Sequence, residues 1–191
     1  MDKLNLLLDK INLPLEYKGY FNNGKLDKII CNKQQDKYVF IIQLSSVLPI
    51  GIYLDFENLL KKHFCGVKMV NTHILTSKFS LENITDYYRY YMEKYSKNAP
   101  LLEIFVNSSL FLEDNKLVVK MANKAEEMKF SSIRADLNQK LYDAGFNVEV
   151  VTKIDEEKAN QIIKEIEEAK KTEIPAIPKK ESPVIMGSEI K

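Results

Sequence analysis

Segments with the spacing of an amphipathic helix alternate with short strand-like runs along most of this chain, and the alternation limits it to a mixed α+β fold. The chain opens with Leu4, Leu7, Leu8 and Ile11 at helical spacing ahead of Pro14, which predicts a short first helix. The patterns that follow predict the order α-β-β-α-β-α, then α-β-α-β. The predicted strands are residues 26–31, 38–44, 66–75, 116–121 and 146–154. The predicted later helices are residues 49–63, a helix that ends at Lys94 with Ser80 and Asn83 just ahead of it, and residues 101–109 and 124–144.

A polar break, Ser96–Pro100, interrupts this pattern. We therefore predict two small domains, residues 1–97 and residues 98–154, each with its own apolar faces. The α-β-α-β order of the second is KH-like, although the sequence lacks the Gly-x-x-Gly loop that clamps nucleotides in KH modules.

The end of the chain has a different composition. Residues 155–171 predict a charged helix with one apolar stripe, and residues 172–191 contain three of the six prolines, Pro175, Pro178 and Pro183. Because the scattered apolar residues around these prolines have no period that would bury a face, we predict a linker.

Charge and hydropathy exclude several classes of function. The 28 basic and 27 acidic side chains nearly cancel to a net charge of +1, so binding to nucleic acid would need a local patch. The apolar runs are too short for a signal sequence or a membrane span, which predicts a cytoplasmic protein without a membrane partner.

No set of residues predicts catalysis. Each acidic cluster consists of residues that are adjacent in sequence: Glu113-Asp114, Glu126-Glu127 and Asp155–Glu157. Adjacent side chains do not converge on a pair of metal ions as two-metal enzymes require. We predict no catalytic residue, no cofactor and no metal site in this chain.

A zinc site or a Cys-His nucleophile pair is the alternative. Cys31, His63, Cys65 and His73 provide suitable atoms, but only His63 and Cys65 are close in sequence. Structural zinc sites usually have two tight ligand pairs. We therefore expect the cysteines to be buried, where a thiol behaves as a small apolar side chain.

The densest aromatic stretch is Asp86–Tyr95. At helical spacing one face is shared by Ile84, Tyr88, Tyr91 and Tyr95, which predicts that they pack in the core. Tyr87, Arg89 and Tyr90 lie off that face. Aromatic rings beside a cation can stack on bases, so these three residues are the predicted interaction surface, for single-stranded DNA or a protein.

Several short motifs, in this order, resemble the N-terminal region of the PolC-type DNA polymerase III alpha subunit, the replicative polymerase of low-GC Gram-positive bacteria. They are Leu7–Pro14, Asn115–Asn123, Gly145-Phe146, Glu156–Ala159 and Met186–Lys191. In that family a phrase similar to the last motif leads into an OB-fold domain.

The resemblance implies a noncatalytic part of a larger machine. The parent polymerase is a DNA-directed DNA polymerase with a 3′-5′ exonuclease, whose catalytic domains would follow residue 191. The implied partners are the rest of that polymerase and the clamp-loader tau subunit, whose polymerase-binding domain the N-terminal region resembles in outline. Weak binding to single-stranded DNA is a further expectation. The rival hypothesis is a free-standing KH-like nucleic-acid-binding adaptor with a disordered tail.

Overall fold

The computed structural model describes residues 2–76, 78–155, 160, 163 and 164, and the fold is of the predicted mixed α+β class. The helices are α1 (Lys3–Lys10), α2 (Ile50–His63), α3 (Leu81–Asn98) and α4 (Lys124–Asp143), with 3₁₀ helices at Leu15–Phe21 and Pro100–Phe105. The strands are β1 (Lys25–Asn32), β2 (Lys37–Gln43), β3 (Met69–Leu75), β4 (Leu110–Glu113), β5 (Lys116–Met121) and β6 (Glu149–Ile154).

The first three strands form one sheet in the order β1-β2-β3. β1 and β2 are an antiparallel hairpin, and α2 connects β2 to β3, which lies parallel to it. The turn of the hairpin is stabilised by Asn32, whose side-chain oxygen accepts hydrogen bonds from the backbone N–H groups of Gln34 and Gln35. Such local bonds favour a turn over a continued strand.

The second sheet, β4-β5-β6, repeats this arrangement. β4 and β5 are antiparallel, and α4 connects β5 to the parallel strand β6. The same ββαβ unit therefore occurs twice among the residues that the structure describes. No repeat in the sequence indicates it, because only the order of the elements is shared.

The predicted α-β-α-β order of the second half is wrong in two places. The segment predicted as a helix at 101–109 is a 3₁₀ helix of six residues, and Leu110–Glu113 is an additional strand. A two-residue turn joins β4 to β5, with Asp114 at φ +52°. A positive φ at this place matches the twist of a tight hairpin. Three apolar residues and a glutamate directly after a helical pattern carry too little alternation to be recognised as a strand.

A single continuous core joins the two halves. Residues of both sheets and of helices α1, α2, α3 and α4 belong to the same cluster of buried side chains, and residues 1–155 form one compact unit. Helix α3 lies at the centre of this core, in contact with α2, α4, β4 and the second 3₁₀ helix. Separate folding of domains 1–97 and 98–154 stays a prediction. The boundary between them passes through a core to which both halves contribute side chains.

The predicted charged helix (residues 155–171) and linker (residues 172–191) lie outside the described residues, apart from residues 155, 160, 163 and 164. Within the described ranges, no helix combines the length and apolar character that a membrane span requires.

Candidate functional site

The predicted interaction surface on α3 is only partly exposed. Tyr87 is 1% exposed, and its hydroxyl donates a 2.9 Å hydrogen bond to the carbonyl of Leu48. Its ring packs edge-on against Phe146 at 4.9 Å between centroids. The prediction that Tyr87 lies on a surface is therefore wrong, since α3 is packed on two sides and buries a wider face than the one stripe that the sequence indicates.

The other two residues differ from Tyr87. Arg89 is exposed, whereas Tyr90 is half-buried and packs edge-on against Tyr91 at 5.3 Å. Their role in binding DNA or protein stays a prediction. Without Tyr87, the pair offers one partly accessible ring and one cation, which is a small surface for stacking bases.

The four residues of the hypothetical zinc site lie on different elements. Cys31 is on β1 and Cys65 follows α2, and both thiols are free and exposed, so the expectation that they are buried is wrong. His73 is on β3. Among the residues that the structure describes, no group of three His, Cys, Asp or Glu side chains is arranged to hold a metal ion.

The paired carboxylates of α4 have structural partners. Glu126 accepts a 2.7 Å hydrogen bond from the backbone N–H of Ala122, ahead of the N-cap Asn123. Glu127 accepts a 2.7 Å hydrogen bond from the hydroxyl of Thr152 on β6. These contacts close the start of α4 and hold the helix against its sheet.

A recess lies on the outer face of the first sheet. Phe40 and Ile42 of β2 and Val70, Thr72 and Ile74 of β3 point into the core. The residues between them point away from it, because successive side chains of a strand alternate between faces.

We call this recess the open groove. Its floor and rim come from the sheet, and its wall comes from the last turn of α4. A cavity of about 600 Å³ is lined there by Asp27, Lys28, Lys37, Val39, Ile41, Asn71, Thr72, His73, Leu75, Gln139, Tyr142 and Asp143. An adjoining cavity of about 520 Å³ extends past Gln43 and Asn147.

The wall of the open groove is held by a contact between α4 and β3. The ring of Tyr142 lies over that of His73 at 4.5 Å between centroids, and Nδ1 of His73 is 3.6 Å from a carboxylate oxygen of Asp143. That nitrogen is buried and has no hydrogen-bond partner among the described residues. Burial raises the pKa of the Asp143 carboxyl, while a hydrogen bond from Gln139 and the nearby His73 oppose the rise.

Gly145 lets α4 end close to β3. Its φ is +104°, and a Cβ atom there would lie 2.9 Å from Cγ2 of Thr76 and 3.2 Å from Cγ2 of Ile74. Glycine adopts this conformation without the steric cost that other residues bear. The sequence predicts a helix that ends at residue 144, but not the strand that this end approaches.

Sequence reasoning missed the open groove itself. The available signal was the composition of β2 and β3, where apolar residues occupy both alternating sets of positions, including Val39, Ile41 and Leu75. Such a pattern indicates a strand that is covered on both faces. It does not reveal that this chain covers only one of them.

Comparison with known proteins agrees with the motifs in the sequence. Residues 3–74 match the family described as DNA polymerase III polC-type N-terminus I. The DNA polymerase III PolC-type of Oceanobacillus iheyensis is 27% identical over 150 residues, which are 74% of this chain and 10% of that protein. The Bacillus subtilis protein of that name is 26% identical over 146 residues, covering 72% of this chain and 10% of the relative.

A third relative extends the match. The PolC-type polymerase of Pediococcus pentosaceus is 21% identical over 195 residues, covering 100% of this chain and 13% of that protein. The chain thus spans about a tenth of the length of the curated relatives that it matches. The predicted resemblance is confirmed, and the chain is related to the N-terminal region of the PolC-type DNA polymerase III.

Proposed function

We propose that this chain is a noncatalytic accessory region of a PolC-type replicative DNA polymerase and acts in DNA replication by contacting other proteins. The match of residues 3–74 to the polC-type N-terminus I family carries the proposal. The names of the relatives describe whole polymerases, and the matched part is about a tenth of each. The first proposed partner is the rest of such a polymerase, and the proposed location is the cytoplasm.

The open groove supports the protein-contact part of this proposal. Val39, Ile41 and Leu75 offer apolar surface on its floor, and polar side chains surround it. Interfaces between proteins commonly have this apolar centre and polar rim. The clamp-loader tau subunit is the second proposed partner, and single-stranded DNA is a weak ligand at most, because the net charge of +1 attracts phosphates little.

Deleting the region from a whole polymerase tests the function. A PolC-type polymerase with this chain as its N-terminal region is compared with a version that lacks residues 1–155. We expect primer extension on short primed templates to change by less than about twofold, because in this proposal the deleted part takes no part in the chemical step. Synthesis that depends on the clamp loader should fall clearly on long primed single-stranded templates.

Two results would contradict the proposal. One is unchanged clamp-loader-dependent synthesis by the truncated polymerase. The other is magnesium-dependent nucleotide incorporation or exonuclease activity by the purified chain alone that disappears when a carboxylate such as Glu126 is replaced by glutamine.

A KH-like nucleic-acid-binding adaptor is the second proposed function, and it depends on the fold of residues 98–154. The ββαβ unit of β4, β5, α4 and β6 packs one long helix on a three-stranded sheet. The Gly-x-x-Gly loop is missing from the sequence, and that loop provides the backbone clamp of KH modules. The nucleic-acid-binding adaptor therefore ranks second.

A further inference from the structure

We propose that the open groove binds one amphipathic α-helix of a partner protein, with the apolar side of that helix on the sheet and acidic residues along its edge. This inference rests on the proposed function and specifies its protein contact. It follows from the shape of the groove, from the side chains on its floor and from the charges on its rim.

The dimensions of the groove suit a single helix. Neighbouring strands lie about 4.8 Å apart, so β1 and β3 are about 10 Å apart across the sheet. A helix with its side chains is about 10 to 12 Å wide. On the outer face of the first sheet, α4 covers only the β3 side, where Tyr142 lies over His73. A helix docked on the rest of that face would therefore lie beside α4.

The floor offers apolar contacts across all three strands. Ile30, Val39 and Asn71 form one cross-strand row, and Ile41 pairs with His73 in the next. Ile30 is 45% exposed, and Leu75 is exposed at the far end. Burial of such side chains contributes most of the free energy when an amphipathic helix docks in a groove.

The wall adds a fixed aromatic anchor. Tyr142 is 48% exposed, and its ring is oriented by the contact with His73. Tyrosine is enriched among the residues that dominate binding energies, because a rigid ring buries much area at a small entropic cost. The groove is thus largely formed before a partner arrives.

The rim determines the charge of the partner. Lys28 on β1 and Lys37 on β2 line the groove, and Lys25 on β1 pairs with Gln43 at the adjoining cavity. None of these three lysines forms an ion pair with a described residue. Asp27 is the opposing carboxylate on this rim, and Asp143 already faces His73. Since three unpaired cations outnumber one carboxylate, acidic residues along the docking helix are favoured.

A designed peptide tests this inference on the full chain. The probe is a helical peptide of about five turns with leucines at positions i, i+3, i+4 and i+7 and glutamates beside them, and its matched control has lysines in place of the glutamates. We expect the acidic peptide to bind about tenfold more tightly at low salt, with the ratio falling as salt is added. Amide resonances of Val39, Ile41 and Leu75 should shift on binding.

Two adjacent isoleucines provide a matched pair of variants. Ile30 and Ile29 are 45% and 42% exposed, but Ile30 pairs with Val39 on the groove side and Ile29 pairs with Phe40 on the core side. Ile30→Glu should weaken the acidic peptide at least about tenfold, whereas Ile29→Glu should change it by less than about twofold. Lys28→Glu should reduce the preference for the acidic peptide.

Other outcomes overturn the inference. They are equal binding of both peptides, equal losses in the two isoleucine variants, and shifts confined to other surfaces. If a single-stranded oligonucleotide binds more tightly than the peptide and shifts the same amide resonances, nucleic acid is the favoured ligand. If the chain self-associates and Ile30→Glu abolishes the association, a second copy of this chain is the favoured partner. Because peptide binding uses the isolated chain and the proposed function is measured in the assembled polymerase, each can fail alone.

Discussion

At the scale of single residues, the hydroxyl of Tyr87 distinguishes a core role from a surface role. Tyr87→Phe keeps the ring but leaves the buried carbonyl of Leu48 without its donor. We expect a loss of about 1 to 2 kcal/mol in the free energy of unfolding, because a buried polar group without a partner is costly. Urea unfolding followed by circular dichroism measures the loss.

Tyr90 is the matched control for that substitution. It lies on the same helix and is half-buried, and its hydroxyl makes no hydrogen bond with a described residue. Tyr90→Phe should stay within about 0.5 kcal/mol of the original chain. If both variants are equally stable, the assignment of Tyr87 to the core is contradicted and the predicted surface of Tyr87, Arg89 and Tyr90 regains support.

A second residue-scale prediction concerns the close approach at Gly145. Gly145→Ala adds a Cβ atom 2.9 Å from Thr76 at a φ of +104°, so we expect a destabilisation of about 2 kcal/mol in thermal or urea unfolding. The double substitution with Thr76→Ser should recover part of the loss, since serine lacks the crowded methyl group.

Gly51 provides the opposite control in helix α2. A Cβ atom there meets nothing within 4 Å, and alanine is the better helix former. Gly51→Ala should therefore stabilise the chain by about 0.5 kcal/mol. A Gly145→Ala variant as stable as Gly51→Ala would disprove the described contact between α4 and β3.

At the scale of elements, the contact between α4 and β3 predicts a dependence on pH. Burial holds the pKa of Asp143 above its ordinary value of 3.8. In the pH range just above 3.8 the folded chain therefore binds a proton that the unfolded chain releases. The stabilisation is complete below that range and is lost as the pH rises through the folded pKa.

Asp143→Asn should flatten this part of the stability profile, as measured by urea unfolding at a series of pH values. His73→Gln should raise the pKa of Asp143 further, because the coulombic interaction with His73 lowers that pKa. A carboxyl NMR titration measures this change. A midpoint for Asp143 that stays at its ordinary value in both the original chain and His73→Gln would refute the described wall of the open groove.

The helices and strands differ in how well the sequence predicts them. The long helices and most strands follow from local spacing. Ser80 caps the start of α3 with reciprocal hydrogen bonds to Asn83, a local arrangement that short-range sequence can encode. Strand β4 was missed because four residues carry little pattern. The double-sided burial of α3 and the open groove depend on which elements pack together, and periodicity within one element does not encode that choice.

At the scale of the whole molecule, the sequence and the structure suggest different folding units. The polar break at residues 96–100 predicts separable domains, but the core crosses it. The hydroxyl of Tyr88 on α3 donates a 3.0 Å hydrogen bond to the carbonyl of Phe105, and Phe146 packs against both Phe79 and Tyr87. A cut at residue 97 separates each of these pairs.

We therefore predict that fragments 1–97 and 98–191 fold poorly alone and recover structure when mixed. Each fragment would expose one side of the aromatic core to water, and the lost burial of a large ring costs about 3 to 5 kcal/mol, a large share of the stability of a small protein. Amide resonances of each fragment should be poorly dispersed alone and well dispersed in the equimolar mixture.

The Tyr88→Phe form of fragment 1–97 sharpens the experiment, because it should weaken the recovered complex without affecting the isolated fragment. Cooperative unfolding of both isolated fragments, with no change on mixing, would instead establish the two domains that the polar break predicts. In that case the wall and the floor of the open groove would belong to separate folding units, and peptide binding would depend on how those units dock. The fragment experiment thus also decides whether the groove is built into the fold or assembled from two parts.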